Sequence, residues 1–321
     1  MRITTLSTAV ALMVVSGIAW AQTFPIRPVT MVVSTGPGAS NDLEARMYGQ
    51  KLGDALGQPF VVDYKPGAGT TLAAIHVAKA APDGYMLLGI SSSFPAAAAL
   101  YKPQPFDAIK DFTPLSLMSK RTTVLVANPS APFKNIKEYI AYTKANPGKV
   151  NIATVGAGSG PHINAAWFHS LVNTQAIFVH YKSAAGMQTD LMSGRIDMTY
   201  GSLLTNLPHI KSGKLHLVAI GNAERSPLLP DVATVAEQGV AGYDYASMFG
   251  FIGPAGIPPA IVNRLGTEMA KAARHPDVVK RLEAEGGFPV GSTPAQFAQV
   301  LATDVSRQRK LVQELGIKLE E

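Results

Sequence analysis

Three segments rich in glycine and hydroxyl residues each follow an apolar run and precede a helical pattern. They are residues 34–42 (STGPGASND), 65–71 (KPGAGTT) and 155–162 (VGAGSGPH). Glycine lets the backbone approach a ligand closely, and the first N–H groups of a helix lack intrahelical partners and carry partial positive charge. Such loops can bind an anion without an arginine. Because 34–42 and 155–162 occupy equivalent places in two halves of the chain, we expect each to hold a carboxylate.

Each loop alone is also consistent with a tight turn followed by a capped helix. Ser40 or Asn41 can cap the helix after the first loop, and Asp42 can stabilise the dipole of that helix. Pro161 fits the first turn of a helix that the residues just before it would cap. The occurrence of matching loops in both halves is what favours a binding function.

The same loops fail the motifs of nucleotide-binding proteins. Residues 67–72 and 156–161 have two glycines of G-x-G-x-x-G, but Leu72 and Pro161 stand at the third position, and no P-loop motif occurs. We therefore expect no nucleotide cofactor. The seven histidines form no H-x-x-x-H pair and the chain has no cysteine, so the sequence indicates no metal site.

A hydrolase remains an alternative interpretation of the third loop. Ser159 stands one position late for the G-x-S-x-G nucleophile elbow, and His162 follows three residues later. A Ser159–His162 pair would still need an acid and an oxyanion hole. This alternative predicts ester turnover that is lost in Ser159→Ala, whereas a binding protein predicts saturable stabilisation without product.

The composition is that of a globular protein with an export signal. The 321 residues are 47% hydrophobic and 16% charged, with a formal charge of +6 and no Lys/Arg run typical of nucleic-acid binding. Arg2, an apolar stretch at about residues 9–19 and an A-x-A pattern at 19–21 are typical of a signal peptide. We expect cleavage after Ala21 and a periplasmic chain that begins at Gln22.

The elements that must position the loops alternate between strand and helix patterns. The first series consists of 28–35, 41–56, 59–64, 70–80 and 86–92. A proline-rich stretch at 101–114 interrupts it. The second series has strand patterns at 122–130, 149–155, 176–181, 197–202 and 215–221, with helical patterns between them. This alternation predicts an α/β fold with parallel sheets covered by helices.

Two such series joined by extended strands predict two lobes with a cleft between them. We place the first lobe at 22–122 plus 236–321 and the second at 123–235, with hinge strands near 122–128 and 246–253. In open α/β sheets, ligands bind beyond the carboxyl ends of the strands, where all three loops lie. Three helices predicted at about 259–273, 276–285 and 294–314 finish the chain and should pack on the first lobe.

Several ordered segments resemble the solute receptors of tripartite tricarboxylate transporters, the TctC-like or Bordetella-uptake-gene (Bug) family. Residues 36–46 (GPGASNDLEAR) are similar to the family's first ligand loop, with Ala39 in place of a glycine. The other matching segments are 56–88, 142–162, 180–198, 225–239 and 251–259. The resemblance implies a type II-like periplasmic binding protein that closes around a small carboxylate and docks on membrane transporter subunits. It implies no cofactor, and we expect a monomer.

In this family, ligand contacts come largely from backbone N–H groups, hydroxyls and waters of the first and third loops. Carried onto this chain, the resemblance implies contacts from Thr35, Ser40, Asn41, Asp42, Gly156, Ala157, Ser159 and His162. Five more residues stand at strand ends near the cleft or at a position where the family often has an aromatic residue: Ser92, Ser93, Tyr181, Ser202 and Phe249. For these five, a purely structural role stays open.

One departure from the family bears on the ligand. Gly201 stands where many members carry Asp, which argues against a ligand with an amino group there. Four aromatic residues could flank a ring: Phe94, Tyr181, Tyr200 and Phe249. An aromatic dicarboxylate such as terephthalate is therefore a candidate beside citrate-like and C4 acids. A receptor that reports its ligand to a signalling partner is a further alternative.

Overall fold

The protein is described by a computed structural model that covers residues 24–67, 70–100, 103–154, 159–181 and 184–314. The predicted signal peptide and two predicted ligand residues, Gly156 and Ala157, lie outside the described residues. Within the described ranges, no helix combines the length and apolar character needed to cross a membrane.

The first lobe is built on a six-stranded sheet. Its strands are β1 (Val29–Val33), β2 (Phe60–Tyr64), β3 (Met86–Ser91), β4 (Phe112–Arg121), β10 (Ser247–Pro254) and β11 (Gly287–Pro289), in the order β11-β4-β10-β3-β1-β2. β1 pairs in parallel with β2 and β3, whereas β10 runs antiparallel between β3 and β4. Its helices are α1 (Ser40–Leu56), α2 (Thr71–Ala78), α3 (Ser93–Leu100), α8 (Pro259–Ala273), α9 (Pro276–Ala284) and α10 (Pro294–Glu314).

The second lobe is built on a five-stranded sheet. Its strands are β5 (Thr123–Ala127), β6 (Asn151–Thr154), β7 (Ile177–His180), β8 (Met198–Ser202) and β9 (His216–Ile220), in the order β7-β6-β8-β5-β9. β6 is parallel to β7 and β8, and β5 is antiparallel to β8 and β9. Its helices are α4 (Ile136–Ala145), α5 (Gly160–Val172), α6 (Ala184–Met192) and α7 (Leu203–Lys211). The predicted two-lobed α/β fold is confirmed.

The chain crosses between the lobes twice, at Thr122 and at Ala246. The two crossing segments are held side by side through the end of β9. The backbone N–H of Tyr245 donates to the carbonyl of Gly221 (2.9 Å), whose own N–H donates to the carbonyl of Thr123 (2.8 Å). Any hinge motion between the lobes must therefore bend both segments together.

The segment between β9 and β10 belongs to the second lobe. Val240, Tyr243 and Tyr245 are buried in the same cluster as Leu125 of β5 and Phe168 of α5. We therefore propose that the second lobe ends at Ala246, later than the boundary at 235/236 that the sequence patterns predict.

Candidate functional site

A cavity of about 250 Å³ lies between the lobes, beside the crossing segments. Its walls are formed by Ser91, Ser92, Ser93, Thr123, Gly160, Pro161, Asn164, Tyr200, Gly201, Ser202, Tyr245 and Ser247. These residues come from the end of β3, the start of α5, the end of β8 and the two crossings. We call this space the interlobe cavity. It is smaller than typical drug-sized sites, so it fits a small metabolite.

Three helices begin at the interlobe cavity. α3 begins at Ser93, α5 begins at Gly160, and Ser202 is the N-cap of α7. The first N–H groups of each helix carry partial positive charge and lack intrahelical acceptors. None of the residues that line the cavity carries a carboxylate, imidazole, ammonium or guanidinium group, so these helix starts and nearby hydroxyls set its polarity. The arrangement favours an anion with several oxygen acceptors.

The hydroxyls of the first-lobe wall are partly engaged with the protein. The Ser91 and Ser93 hydroxyl oxygens are 2.7 Å apart, and the Ser92 hydroxyl accepts a hydrogen bond from the Met248 N–H (3.1 Å). Ser202 on the opposite wall makes no side-chain cap hydrogen bond to α7. The hydroxyl of Ser202 therefore remains available to a ligand.

The first loop, residues 34–42, is braced from within by Asp42. This buried carboxylate accepts hydrogen bonds from Gly38 N–H (2.7 Å), Arg46 Nε (2.7 Å) and the Tyr64 hydroxyl (2.8 Å). Burial alone would raise the pKa of Asp42, but these three hydrogen bonds and the Arg46 charge outweigh it and lower the pKa below its ordinary value. The Asp42 side chain thus holds the shape of the loop.

The other predicted residues of the first loop also lie away from the interlobe cavity. Neither Thr35, Ser40 nor Asn41 lines it. The Thr35 hydroxyl is buried without a hydrogen-bond partner in the described part of the chain, and Ser40 opens α1. The loop still begins close by, because Ser34 shares a small void with Ser91, which also lines the cavity.

Ser159 and His162 stand at the start of α5, just beyond the cavity wall. The Ser159 hydroxyl accepts the backbone N–H of His162 (3.4 Å), the hydrogen bond of an N-cap. The His162 ring packs against the rings of Phe178 and His180, with centroids 4.8 and 4.7 Å away. Burial, with a smaller effect of His180, lowers the pKa of His162 to about 4, so His162 is neutral at pH 7.

Two predicted aromatic residues are engaged elsewhere. The Tyr181 hydroxyl donates to Asp190 (2.8 Å). Phe249 is buried in the first lobe, where its ring stacks on Tyr48 with centroids 6.1 Å apart. Of the thirteen predicted ligand residues, the cavity wall therefore contains Ser92, Ser93 and Ser202.

The sequence patterns did not predict those cavity residues that lie inside a helix or beside the crossings between the lobes. Asn164 lies in the second turn of α5, and Thr123, Tyr245 and Ser247 flank the two crossings. The predicted hinge strands could have indicated Thr123, Tyr245 and Ser247, because residues at the hinge lie beside the cleft between the lobes. Among the described residues, no group of three or more His, Asp or Glu side chains is placed to hold a metal ion.

The family of the chain follows from comparison with known proteins. Residues 44–317 match the model of the TctC family, described as the tripartite tricarboxylate transporter family receptor. The chain belongs to this family. The resemblance seen in the sequence is thus confirmed for a TctC receptor whose matched region contains nearly all of both lobes.

Relatives of this TctC receptor include proteins with bound carboxylates. Protein BugT of Bordetella pertussis is 34% identical over 93% of this chain and 92% of its own length. The Rhodopseudomonas palustris protein Rpa4515 with adipate is 30% identical, with a TM-score of 0.77 over 92% of this chain and 99% of that one. MatC of the same organism, with bound malate, is 31% identical, with a TM-score of 0.74 over 90% of this chain and 100% of MatC.

Proposed function

We propose that the protein captures a small carboxylate in the periplasm and delivers it to the membrane subunits of a tripartite transporter. One observation carries the proposal: three helix N-termini, from both lobes, converge on one small cavity whose lining residues include no Asp, Glu, His, Lys or Arg. The helix starts compensate the charge of a carboxylate, and the hydroxyls accommodate its oxygens.

Capture proceeds by closure of the two lobes. Ser93 of the first lobe and Gly160 and Ser202 of the second contribute to opposite walls of the cavity. A ligand that contacts both walls binds the closed form better than the open one, and this difference in affinity shifts the population towards closure. The crossings at Thr122 and Ala246 absorb the motion. Transporter subunits would then recognise the closed form.

Two relatives with bound dicarboxylates support small dicarboxylates as the proposed ligand class. Adipate and malate are bound by two family members. In this chain, Tyr245 lines the cavity, whereas Phe94 and Phe249 are buried in the first lobe and do not line it. Tyr200 also lines it, but its ring packs against Phe168 in the core of the second lobe. Aliphatic dicarboxylates are therefore our first candidates, and terephthalate remains a second one because of Tyr245.

The protein acts as a receptor and not as an enzyme in this proposal. The Ser159 hydroxyl caps α5, which explains its presence without a catalytic role. The predicted signal peptide, cleaved after Ala21, accounts for export. A signalling receptor would use the same capture step and would differ only in its partner, which co-purification with membrane components would identify.

The proposal is tested by thermal unfolding of the chain from Gln22 in the presence of mono-, di- and tricarboxylates. A true ligand at about 100 times its dissociation constant should add about 2.7 kcal/mol to the free energy of unfolding. The matched controls are the corresponding diamides, which keep the shape of each dicarboxylate and remove its charge. If no carboxylate raises the melting temperature, the proposed function is wrong. Ester turnover lost in Ser159→Ala would instead support the hydrolase.

A further inference from the structure

The chemistry of the cavity wall is uneven towards anions and cations. The residues that line it offer hydroxyl, amide and backbone groups, and none has a carboxylate. A ligand ammonium group placed there would lose its water without gaining a carboxylate partner, which is costly. The positive ends of α3, α5 and α7 would add repulsion.

Asn164 presents an amide N–H to this cavity. The residue is only 2% exposed, and its Oδ1 accepts a hydrogen bond from the Tyr243 hydroxyl. Burial raises the pKa of Tyr243, so its hydroxyl keeps its proton and acts as the donor. An asparagine amide has one oxygen and an NH₂ group, and no described residue hydrogen-bonds Nδ2. The Nδ2 amide group of Asn164 can therefore donate a hydrogen bond to a ligand.

Tyr245 places a second donor on the same side of the cavity. Its backbone is fixed at the crossing, because its N–H donates to Gly221 (2.9 Å) and its carbonyl accepts from the Thr123 hydroxyl. A Cβ atom at Gly160 would stand 2.7 Å from the Tyr245 hydroxyl oxygen. The missing side chain at Gly160 thus leaves room for that hydroxyl beside the start of α5, where no described residue hydrogen-bonds it.

We propose that Asn164 and Tyr245 are specificity-determining residues that donate hydrogen bonds to an oxygen acceptor on the inner end of the ligand. They select dicarboxylates without an amino group over the corresponding amino acids. This inference rests on the proposed function, since it assigns the ligand class of the same cavity.

The first test compares matched ligand pairs by isothermal titration calorimetry with the chain from Gln22. The pairs are succinate and aspartate, glutarate and glutamate, and adipate and 2-aminoadipate. For the pair that binds, the dicarboxylate should have a dissociation constant at least about tenfold lower than its amino counterpart, because the ammonium group would lose its water without gaining a carboxylate partner. Equal or tighter binding of the amino acid would overturn the inference and leave carboxylate capture intact.

The second test removes each donor. Tyr245→Phe should weaken dicarboxylate binding about tenfold, and Asn164→Asp should weaken it further, because a carboxylate would face the ligand anion. Tyr142→Phe is the matched control, since this half-buried tyrosine of α4 is not part of the cavity wall. Its affinity should equal that of the wild type.

Two outcomes separate this inference from the proposed function. If Tyr245→Phe binds the dicarboxylate as tightly as the wild type does, Tyr245 is not a donor to the ligand and the joint assignment is overturned, while capture stands. If the wild type itself binds none of the ligands, both proposals fail. Tyr245→Phe tests the assignment even if Asn164→Asp does not fold, because it removes only one oxygen atom.

Discussion

At the scale of single residues, Asp42 illustrates how a predicted ligand residue serves the site indirectly. Its carboxylate accepts hydrogen bonds from Gly38, Arg46 and Tyr64, so Asp42 supports the loop whether or not it also contacts a ligand. Gly38 has a positive φ of 82°, a conformation that glycine tolerates and that the hydrogen bond from its N–H to Asp42 helps to hold. The order of the first loop thus depends on this one buried acid.

Asp42→Asn should lower the free energy of unfolding by about 1–3 kcal/mol, because the amide replaces one acceptor oxygen with a donor. The lowered pKa of Asp42 means that its stabilisation is present above the ordinary value of 3.8 and is lost as the pH falls through the lower folded-state pKa. Urea unfolding should therefore show a large difference from wild type at pH 7 that narrows in acid.

The control for this variant is Asp54→Asn in the same helix. Asp54 is exposed, and no hydrogen bond or ion pair joins its side chain to another described residue. This substitution should leave stability within about 0.5 kcal/mol of the wild type. A similar loss of stability in both variants would contradict the role assigned to Asp42.

Part of the cavity wall could be predicted from single residues and part could not. Ser93 and Ser202 stand at the ends of strand patterns, so position along the chain indicates their place at the cleft. Asn164 and Tyr245 carry no such signal, because their place depends on how the lobes meet. β10 is buried along nearly all of its length, so its sequence pattern does not reveal that Phe249 faces Tyr48 of α1.

At the scale of elements, a buried ion network ties α1 to the first crossing. Glu44 of α1 pairs with Arg121 at the end of β4 (2.7 Å), and Arg121 also pairs with Glu285 after α9 (2.9 Å). Burial raises the pKa of Glu44, although Arg121 and Ser119 lower it in part. The ion pair thereby connects α1, the helix after the first loop, to Arg121, which directly precedes the crossing at Thr122.

Arg121→Ala should lower the free energy of unfolding by about 3–5 kcal/mol, because it leaves the buried Glu44 without its cation. The loss should be smaller in acid, where Glu44 takes up a proton. Chemical denaturation at several pH values measures both effects. Arg225→Ala is the control: its pair with Glu237 is 43% exposed on both sides and should contribute at most about 1 kcal/mol. Equal costs for the two variants would refute the network.

Two elements show why the strand and helix patterns gave an incomplete fold. β4 contains Pro114, which argues against a central strand, yet the register with β10 shifts between Phe251 and Ile252, so Pro114 lies beside a bulge. α3 consists largely of alanine and is buried throughout, so it shows no periodic alternation of polar and apolar residues. The sequence patterns did not reveal β4 and α3 because tertiary packing, and not local periodicity, stabilises these two elements.

At the scale of the whole molecule, α10 contacts both lobes. Phe297 and Leu301 pack in the first lobe, whereas Leu311 and Val312 pack with Ile163 of α5. α5 therefore contacts the interlobe cavity through Gly160, Pro161 and Asn164, and it contacts α10 through Ile163. Closure of the lobes must move α5 against α10 or carry both together.

This contact gives the protein an optical reporter of its own. Trp167 on α5 stacks on Tyr243 with centroids 4.9 Å apart, and the Arg307 guanidinium carbon of α10 lies 4.7 Å from the centroid of its indole ring. A chain that starts at Gln22 contains no other tryptophan. Saturating ligand should shift its fluorescence emission, and Trp167→Phe should abolish the signal but preserve calorimetric binding. Unchanged emission at saturation would mean that capture leaves the α5–α10 contact undisturbed.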